Sequence, residues 1–413
     1  MILCYRFLTI FFYPVFIVII FFRKFFNKED KKRYKEKIFS SSFSPVNRKQ
    51  KKLIWFHAAS IGEVQSIFPV VSKLNKENKN LDFLITTVTL SSGILVNKKF
   101  KNNKNIYHRY FPIDVIFLVR KFLDEWRPDL VLFVDSEIWP NFILEINKRE
   151  IKSVVINARI TKKSFNKWML VPRLARKIFN SFELCLAASM ESKKYLKKLN
   201  AKNLKYYGNL KLSSSIKFKE VKDKNKIIFK NRKIWCAAST HRSEEIVCLK
   251  THLNLKKRQK NLLTIIIPRH INRSNEIKKL CQKLNLRSQV LKENDLIKKD
   301  KEVVIINSFG LLPIYFRYSK SVFMGKSIVK ELKETSGQNP IEAAKLGCKV
   351  YHGPFVNNFK EIYKFLKMLG ITEEIKNDKI LAIKILRDFK NSQNSKNKII
   401  KKITKLGDRI LKN

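Results

Sequence analysis

Glu63 stands within LIWFHAASIGEVQSIFPVVSKL, residues 53 to 74. Leu53 to His57 predicts a buried strand; small residues follow, and Val64, Ile67, Phe68, Val71 and Leu74 then recur at helical spacing. A strand, a tight turn and a helix put this carboxylate at the mouth of the turn, where open α/β sheets hold their ligands and where it could accept a proton. Glu63 also completes an S-x-x-E capping box with Ser60, a use that needs no ligand. Other residues also admit a plain reading. Glu137 taken by itself reads as an exposed carboxylate ahead of a buried Trp139. Arg269, after Pro268 at the predicted end of a strand and before His270, suits an anion contact better than plain solvation. Glu342, preceded by Asn339, Pro340 and Ile341, fits plain helix initiation when taken by itself.

The chain that must position these groups has 413 residues and 45% hydrophobic content, enough for two domains with separate cores. Its 87 Lys and Arg against 34 Asp and Glu leave a formal charge of +53. Such a field favours anionic partners, whether nucleic acid, an anionic membrane leaflet or phosphorylated substrates. Abundant Lys, Asn and Ile together also fit a composition bias that carries no ligand information. A nucleic-acid binder should show a recognisable module or basic runs interleaved with stacking aromatics, whereas the aromatics here sit mostly in apolar runs. The six cysteines lie far apart without a C-x-x-C pair, which argues against a disulfide framework and for a reducing compartment. The six histidines form no H-E-x-x-H, and no metal site is expected.

Phe7 to Phe22, FLTIFFYPVFIVIIFF, is uncharged and is followed by Arg23, Lys24, Lys28, Lys31, Lys32 and Arg33. The heavier basic cluster lies behind the apolar run and no small-x-small cleavage site follows, so the segment reads as an uncleaved anchor rather than a signal peptide. It either spans or lies in the interface, with the body on the cytoplasmic side. Residues 40 to 52 read as a linker. Strands are predicted at 53–57, 83–88, 130–134, 153–156 and 184–188. After the charged stretch 213–232 a second series follows at 234–238, 262–267, 303–306, 321–324 and 349–352. Strands alternating with helices predict parallel sheets covered on both faces.

HAASIGE (57–63), SEIWPN (136–141), NARITKKS (157–164), GNLK (208–211), AASTHRSEE (237–245), IIPRH (266–270) and NPIEAA (339–344) occur in that order. Each motif alone is weak; together they resemble the 3-deoxy-D-manno-octulosonic acid (Kdo) transferases of lipopolysaccharide synthesis, over residues 1 to about 360. The resemblance implies a GT-B-like α/β fold, two Rossmann-like domains facing a cleft, preceded by an N-terminal membrane anchor helix. The divisions would be an anchor at 1–28, a basic linker at 29–52, an acceptor domain at 53–215, a connection at 216–232 and a donor domain with closing helices at 233–413. It further implies transfer of Kdo from CMP-Kdo to a lipid A precursor with inversion, at the cell inner membrane, with no metal, no cofactor beyond the donor substrate and no nucleic acid. Glu63 would be the base, with Glu137 and Lys211 as stabilising groups. Pro268, Arg269, Phe309, Gly310, Leu311, Asn339, Pro340, Ile341 and Glu342 would bind the donor.

The chain departs from the family where D-T-x-G-E-L is usual and Asn307 to Leu312 reads NSFGLL, so two acids are missing. The usual G-G-S reads Gly325, Lys326, Ser327, and G-G-H reads Ser336, Gly337, Gln338. Backbone contacts survive such changes because they depend on the turn. Three other classes compete with Kdo transfer. A different nucleotide-sugar GT-B transferase would lack HAASIGE together with GNLK. A basic nucleic-acid- or membrane-surface-binding protein without catalysis would explain the charge. A catalytically dead membrane scaffold would tolerate loss of Glu63, Lys211 and Arg269, and all three are present here.

Overall fold

The structure, a computed structural model, describes residues 1–43, 51–214, 225–292, 295–308, 310–390 and 394–413. The chain divides into two compact units, Met1–Ser215 with Gly407–Asn413, and Ile216–Leu406.

The first unit is built on a parallel sheet of seven strands, β1 (Lys52–His57), β2 (Leu81–Thr87), β3 (Ile106–Tyr110), β4 (Leu130–Val134), β5 (Lys152–Ala158), β6 (Leu184–Ala187) and β7 (Leu204–Lys205), in the order β3-β2-β1-β4-β5-β6-β7. The order reverses between β1 and β4, which pair from Ile54 against Leu130 to His57 against Phe133. Such a reversal opens a crevice at the carboxyl ends of the strands. Trp55, Phe122, Phe133 and Phe142 pack beneath it with Trp55 fully buried.

The helices α1 (Ile2–Phe11), α2 (Tyr13–Phe25) and α3 (Ile61–Glu77) explain the start of the chain. α3 buries Val64, Ile67, Phe68 and Val71, each contributing about 1.5–3 kcal/mol. The expected anchor is not one helix: α1 and α2 are bent by 52° at Phe12. Among the described residues no single helix is long and apolar enough to cross a membrane, although this bent pair passes that test together. α1 is also tied to the domain, since the Tyr5 hydroxyl donates to Asp114 at 2.8 Å and Arg6 donates to Asn141 at 3.3 Å.

Of the basic linker expected at 29–52, residues 44–50 lie outside the described residues and Lys52 opens β1. Residues 29–43 are built into the first unit: Glu29 and Lys37 are buried as an ion pair, Glu36 accepts the Tyr110 amide at 2.8 Å, and Lys37 donates to the Val88 carbonyl at 2.7 Å. Of the charged connection expected at 216–232, residues 216–224 lie outside the described residues, and Lys226–Lys230 form a short helix that buries Phe229.

The second unit repeats the architecture with β8 (Lys233–Thr240), β9 (Leu262–Pro268), β10 (Ser288–Leu291), β11 (Val303–Ile306), β12 (Ser321–Met324), β13 (Lys349–His352) and β14 (Thr372–Glu374), all parallel, in the order β10-β11-β9-β8-β12-β13-β14. Its reversal falls between β8 and β12. The last seven residues leave the expected donor domain for the first unit. Gly407 makes this possible, because a Cβ there would stand 2.6 Å from the Leu212 carbonyl oxygen.

Candidate active site

The carboxyl end of β1 delivers Glu63 through a three-residue turn. The capping box is fully formed: the Glu63 amide donates to Ser60 Oγ at 3.4 Å, Glu63 Oε2 accepts from the amides of Ala59 at 2.8 Å and Ser60 at 3.4 Å, and Ser60 Oγ donates to Oε1 at 2.8 Å. These bonds stabilise the ionised form, yet the carboxyl is pushed up to about 7. Burial is the main cause, and the neighbouring charges of Glu137 and Asp135 add to it. A carboxylate presents about four lone-pair sites, so one stays open beyond the cap.

Glu137 and Asp135 follow β4, across the strand reversal. Burial raises the Glu137 carboxyl, but hydrogen bonds from His57 and Trp139 outweigh it and hold the group below its usual range. Trp139 Nε1 donates to Glu137 Oε2 at 3.0 Å, and His57 Nε2 lies 3.3 Å from the same oxygen. The His57 ring is stacked on Phe111 at 3.7 Å and its Nδ1 lies 3.0 Å from Thr86 Oγ1, so the imidazole is held from three sides. Glu137 is thus tied inward rather than exposed.

Lys211 joins this group from after β7. Its Nζ donates to Asp135 Oδ2 at 2.6 Å, while Asn157 at the end of β5 accepts the Leu210 amide at 2.9 Å and holds the short helical turn carrying Lys211. Asp135 and Asn157 both have left-handed backbones, φ 63° and 53°, a conformation that Asp and Asn adopt more readily than most residues. The second carboxylate oxygen of Asp135 is buried without a hydrogen-bond partner. Asp135, Asn157 and His57 were not singled out from the sequence. Their signal was position, since each closes a predicted strand at a sheet's carboxyl end.

In the second unit Arg269 is exposed directly after β9, its amide bonded to the Thr240 carbonyl at 3.0 Å. Burial lowers His241 to about 4, with Lys326, His270 and Arg269 adding repulsion. Those four groups therefore crowd at the carboxyl ends of β8, β9 and β12. Glu244, likewise unassigned from the sequence, organises them. It is fully buried and accepts the amides of His241 at 3.0 Å, Lys326 at 2.6 Å, Ser327 at 2.8 Å and Ile328 at 3.2 Å. The loop fits only because residue 325 is glycine: a Cβ would stand 2.5 Å from the Ser239 carbonyl.

The remaining donor-site expectations fare unevenly. Asn339 Oδ1 accepts the Ile341 amide at 3.1 Å, Pro340 is buried, and burial raises the Glu342 carboxyl against the opposing pull of Lys345. Leu311 and Ile341 are each 3% exposed, so their side chains serve the core and only their backbones could meet a ligand. Gly310 is left-handed at φ 79°, Pro268 ends β9, and Phe309 lies outside the described residues. Among the described residues no cluster of His, Cys, Asp and Glu could hold a metal ion.

Two Rossmann-like domains, each with charged groups collected where its strand order reverses, define a two-domain α/β class that also contains solved structures. UDP-GlcNAc 2-epimerase from Neisseria meningitidis bound to UDP-GlcNAc matches over 87% of this chain and 100% of its own, with TM-score 0.58 and 15% identity. A glycosyltransferase from Rickettsia africae ESF-5 matches over 88% and 97%, with TM-score 0.55 and 13% identity. Within that class, residues 32–214 match the family described as 3-Deoxy-D-manno-octulosonic-acid transferase (kdotransferase). The 3-deoxy-D-manno-octulosonic acid transferase of Rickettsia bellii is 30% identical over 400 residues, covering 95% of this chain and 92% of the relative. That of Haemophilus influenzae is 30% identical over 326 residues, covering 78% and 75%. The chain belongs to the Kdo transferase family.

Proposed function

We propose that the protein transfers Kdo from CMP-Kdo to a lipid A precursor. The observation that carries the reading is the Glu63 carboxyl at about 7, set among Glu137, Asp135 and Lys211 at the strand reversal of the first unit. A base with that pKa is half ionised near neutral pH and can take the proton of the attacking acceptor hydroxyl. The acceptor oxygen then bonds to the anomeric carbon of Kdo, the bond from that carbon to the CMP phosphate oxygen breaks, and CMP departs with the bonding pair. Glu137, ionised and fixed by His57 and Trp139, supplies negative charge for an oxocarbenium-like transition state. Arg269 and Lys326 supply positive charge for the departing phosphate. Glu342 accepts from the ribose hydroxyls.

Membrane association is part of the same proposal. Leu3, Phe7, Phe11, Phe22 and Phe25 are all more than 60% exposed on α1 and α2, a patch that water disfavours and a bilayer interface accepts. With Tyr5 and Arg6 tied to the domain, the pair suits an interfacial position. The test is incubation of purified protein with CMP-Kdo and a tetraacylated lipid A precursor, followed by mass measurement of the lipid. A lipid heavier by whole Kdo units is expected; an unchanged lipid beside hydrolysed donor would sink the reading.

A further inference from the structure

At the end of the second unit away from Arg269, a cavity of about 1040 Å³ opens beneath the amino ends of β8, β12, β13 and β14. It matches the upper size of small-molecule sites, roughly 300–1,000 Å³. β8 alone runs eight residues from Lys233 to Thr240, so this mouth lies roughly 25 Å from the donor-side loops at about 3.3 Å per residue. Half of its 22 lining residues are Lys or Arg, against 87 of 413 in the whole chain, so general composition does not account for it. Its two carboxylates are both engaged: Glu373 pairs with Lys384 and Arg387, and Asp388 accepts the Ser321 and Tyr351 hydroxyls at 2.8 and 2.7 Å.

The cations crowd rather than disperse. Lys396 donates to the carbonyls of Arg317 at 2.7 Å and Ser319 at 3.0 Å, which sets its ammonium at the end of the helix Leu312–Tyr318. Lys349 reaches the Gly370 carbonyl from the start of β13, and Lys402 reaches Leu369 at 3.4 Å. Burial lowers the ammonium of Lys320, with Lys233 and Lys396 adding repulsion that Asp388 partly offsets. Burial likewise lowers Lys396, and Arg317 adds to it. The carbonyl partners of Lys349, Lys396 and Lys402 carry no full charge, and Glu373 and Asp388 offset only part of the cavity's eleven cationic side chains. A concave, partly desolvated cluster focuses the remaining positive potential on whatever enters.

The geometry points to a second ligand site here, separate from the transfer chemistry, that takes an anion bearing ionised phosphate. The open side of an α/β sheet for substrates is the carboxyl edge, so an occupant at the amino edge is no part of donor binding. Its source is either a soluble polyphosphate or the phosphate headgroup of an anionic lipid.

Calorimetric titration of the full chain with sodium tripolyphosphate tests the first source. Sedimentation with phosphatidylcholine vesicles, with and without phosphatidylglycerol, tests the second. The cavity variant combines Lys233→Gln, Lys349→Gln and Lys402→Gln, which spares the half-buried Lys396. The control combines Lys278→Gln and Lys279→Gln, exposed on the helix Ser274–Lys283. Saturable tripolyphosphate binding, weakened at least about tenfold in the cavity variant but not in the control, supports a soluble anion; this is the loss expected from removing even one charge-assisted hydrogen bond. No tripolyphosphate binding, with phosphatidylglycerol-dependent recruitment lost only in the cavity variant, supports a headgroup. Neither effect, or equal losses in cavity and control variants of similar melting temperature, overturns the site.

Discussion

Glu63 caps α3 and is the base of the proposed transfer, and two substitutions separate these duties. In Glu63→Gln the capping-box geometry persists, because glutamine serves at that position, but the proton acceptor is gone. Turnover should fall by about 10²–10⁴-fold with CMP-Kdo still bound. Stability should move the opposite way. The folded-state pKa of about 7 lies above the usual carboxyl value of 4.5, so the group stabilises the fold below pH 4.5 and that contribution is lost as pH rises through 7. Glu63→Gln should therefore gain in melting temperature relative to the native protein between pH 5 and pH 8; a steady loss across that range would mean the carboxylate serves only the cap. Asp135→Asn asks a different question of the same site. Asparagine tolerates the left-handed backbone at φ 63°, so the fold should hold. Removing the Lys211 partner should lower turnover at least about tenfold. Losing a negative neighbour should also move the rise of kcat/KM, expected near pH 7, to lower pH. An unmoved profile would remove Asp135 from the electrostatics of the base.

The loops after β8 and β12 act as one element because Glu244 accepts amides from both. Each Glu244 oxygen accepts two of the four amides, so Glu244→Gln, which replaces one oxygen with a donor, leaves two amides unsatisfied at about 1–3 kcal/mol each. CMP affinity measured by calorimetry should drop about tenfold or more, together with a lower melting temperature. Arg269→Ala touches no such framework, since the side chain is exposed; it should weaken CMP binding with the melting temperature unchanged. CMP affinity equal to the native protein's in both variants would dismiss the donor-site reading.

For the molecule entire, the N-terminal pair proposed to meet the membrane is also a structural strut. Asp114 is buried, pushed up to about 6 mainly by desolvation, and restrained by the Asn141 and Phe142 amides and the Tyr5 hydroxyl. Deleting residues 1–28 should therefore lower the melting temperature as well as free the protein from membranes, which confounds the two roles. Replacing Phe7, Phe11, Phe22 and Phe25 with Ser leaves Tyr5 and Arg6 in place. This variant should move from the membrane pellet to the supernatant on fractionation at an unchanged melting temperature; retention in the pellet would show that these side chains are not the anchor.

The amino-acid sequence by itself determined the interior of both sheets. The predicted runs at 130–134, 303–306, 321–324 and 349–352 coincide with β4, β11, β12 and β13, and the other predicted runs overlap β1, β2, β5, β6, β8 and β9. Strands buried on both faces must be continuously apolar, and that pattern is visible in one dimension. The four strands not foreseen, β3, β7, β10 and β14, are the four sheet edges. Edge strands carry polar residues or shorten, as in IYHRY and TEE, and so lose the apolar signature. Glu63, Glu137 and Lys211 were legible as motif residues, but not what surrounds them. Strand order alone decided that the turn after β1 faces the loop after β4, and that adjacency gives Glu63 its carboxylate neighbours, which add to the rise in pKa that burial chiefly causes. The same holds for Glu244, which reads as one acid of a pair in sequence and organises a loop 82 residues away, because hydrogen bonds across a parallel sheet join segments that the chain keeps far apart.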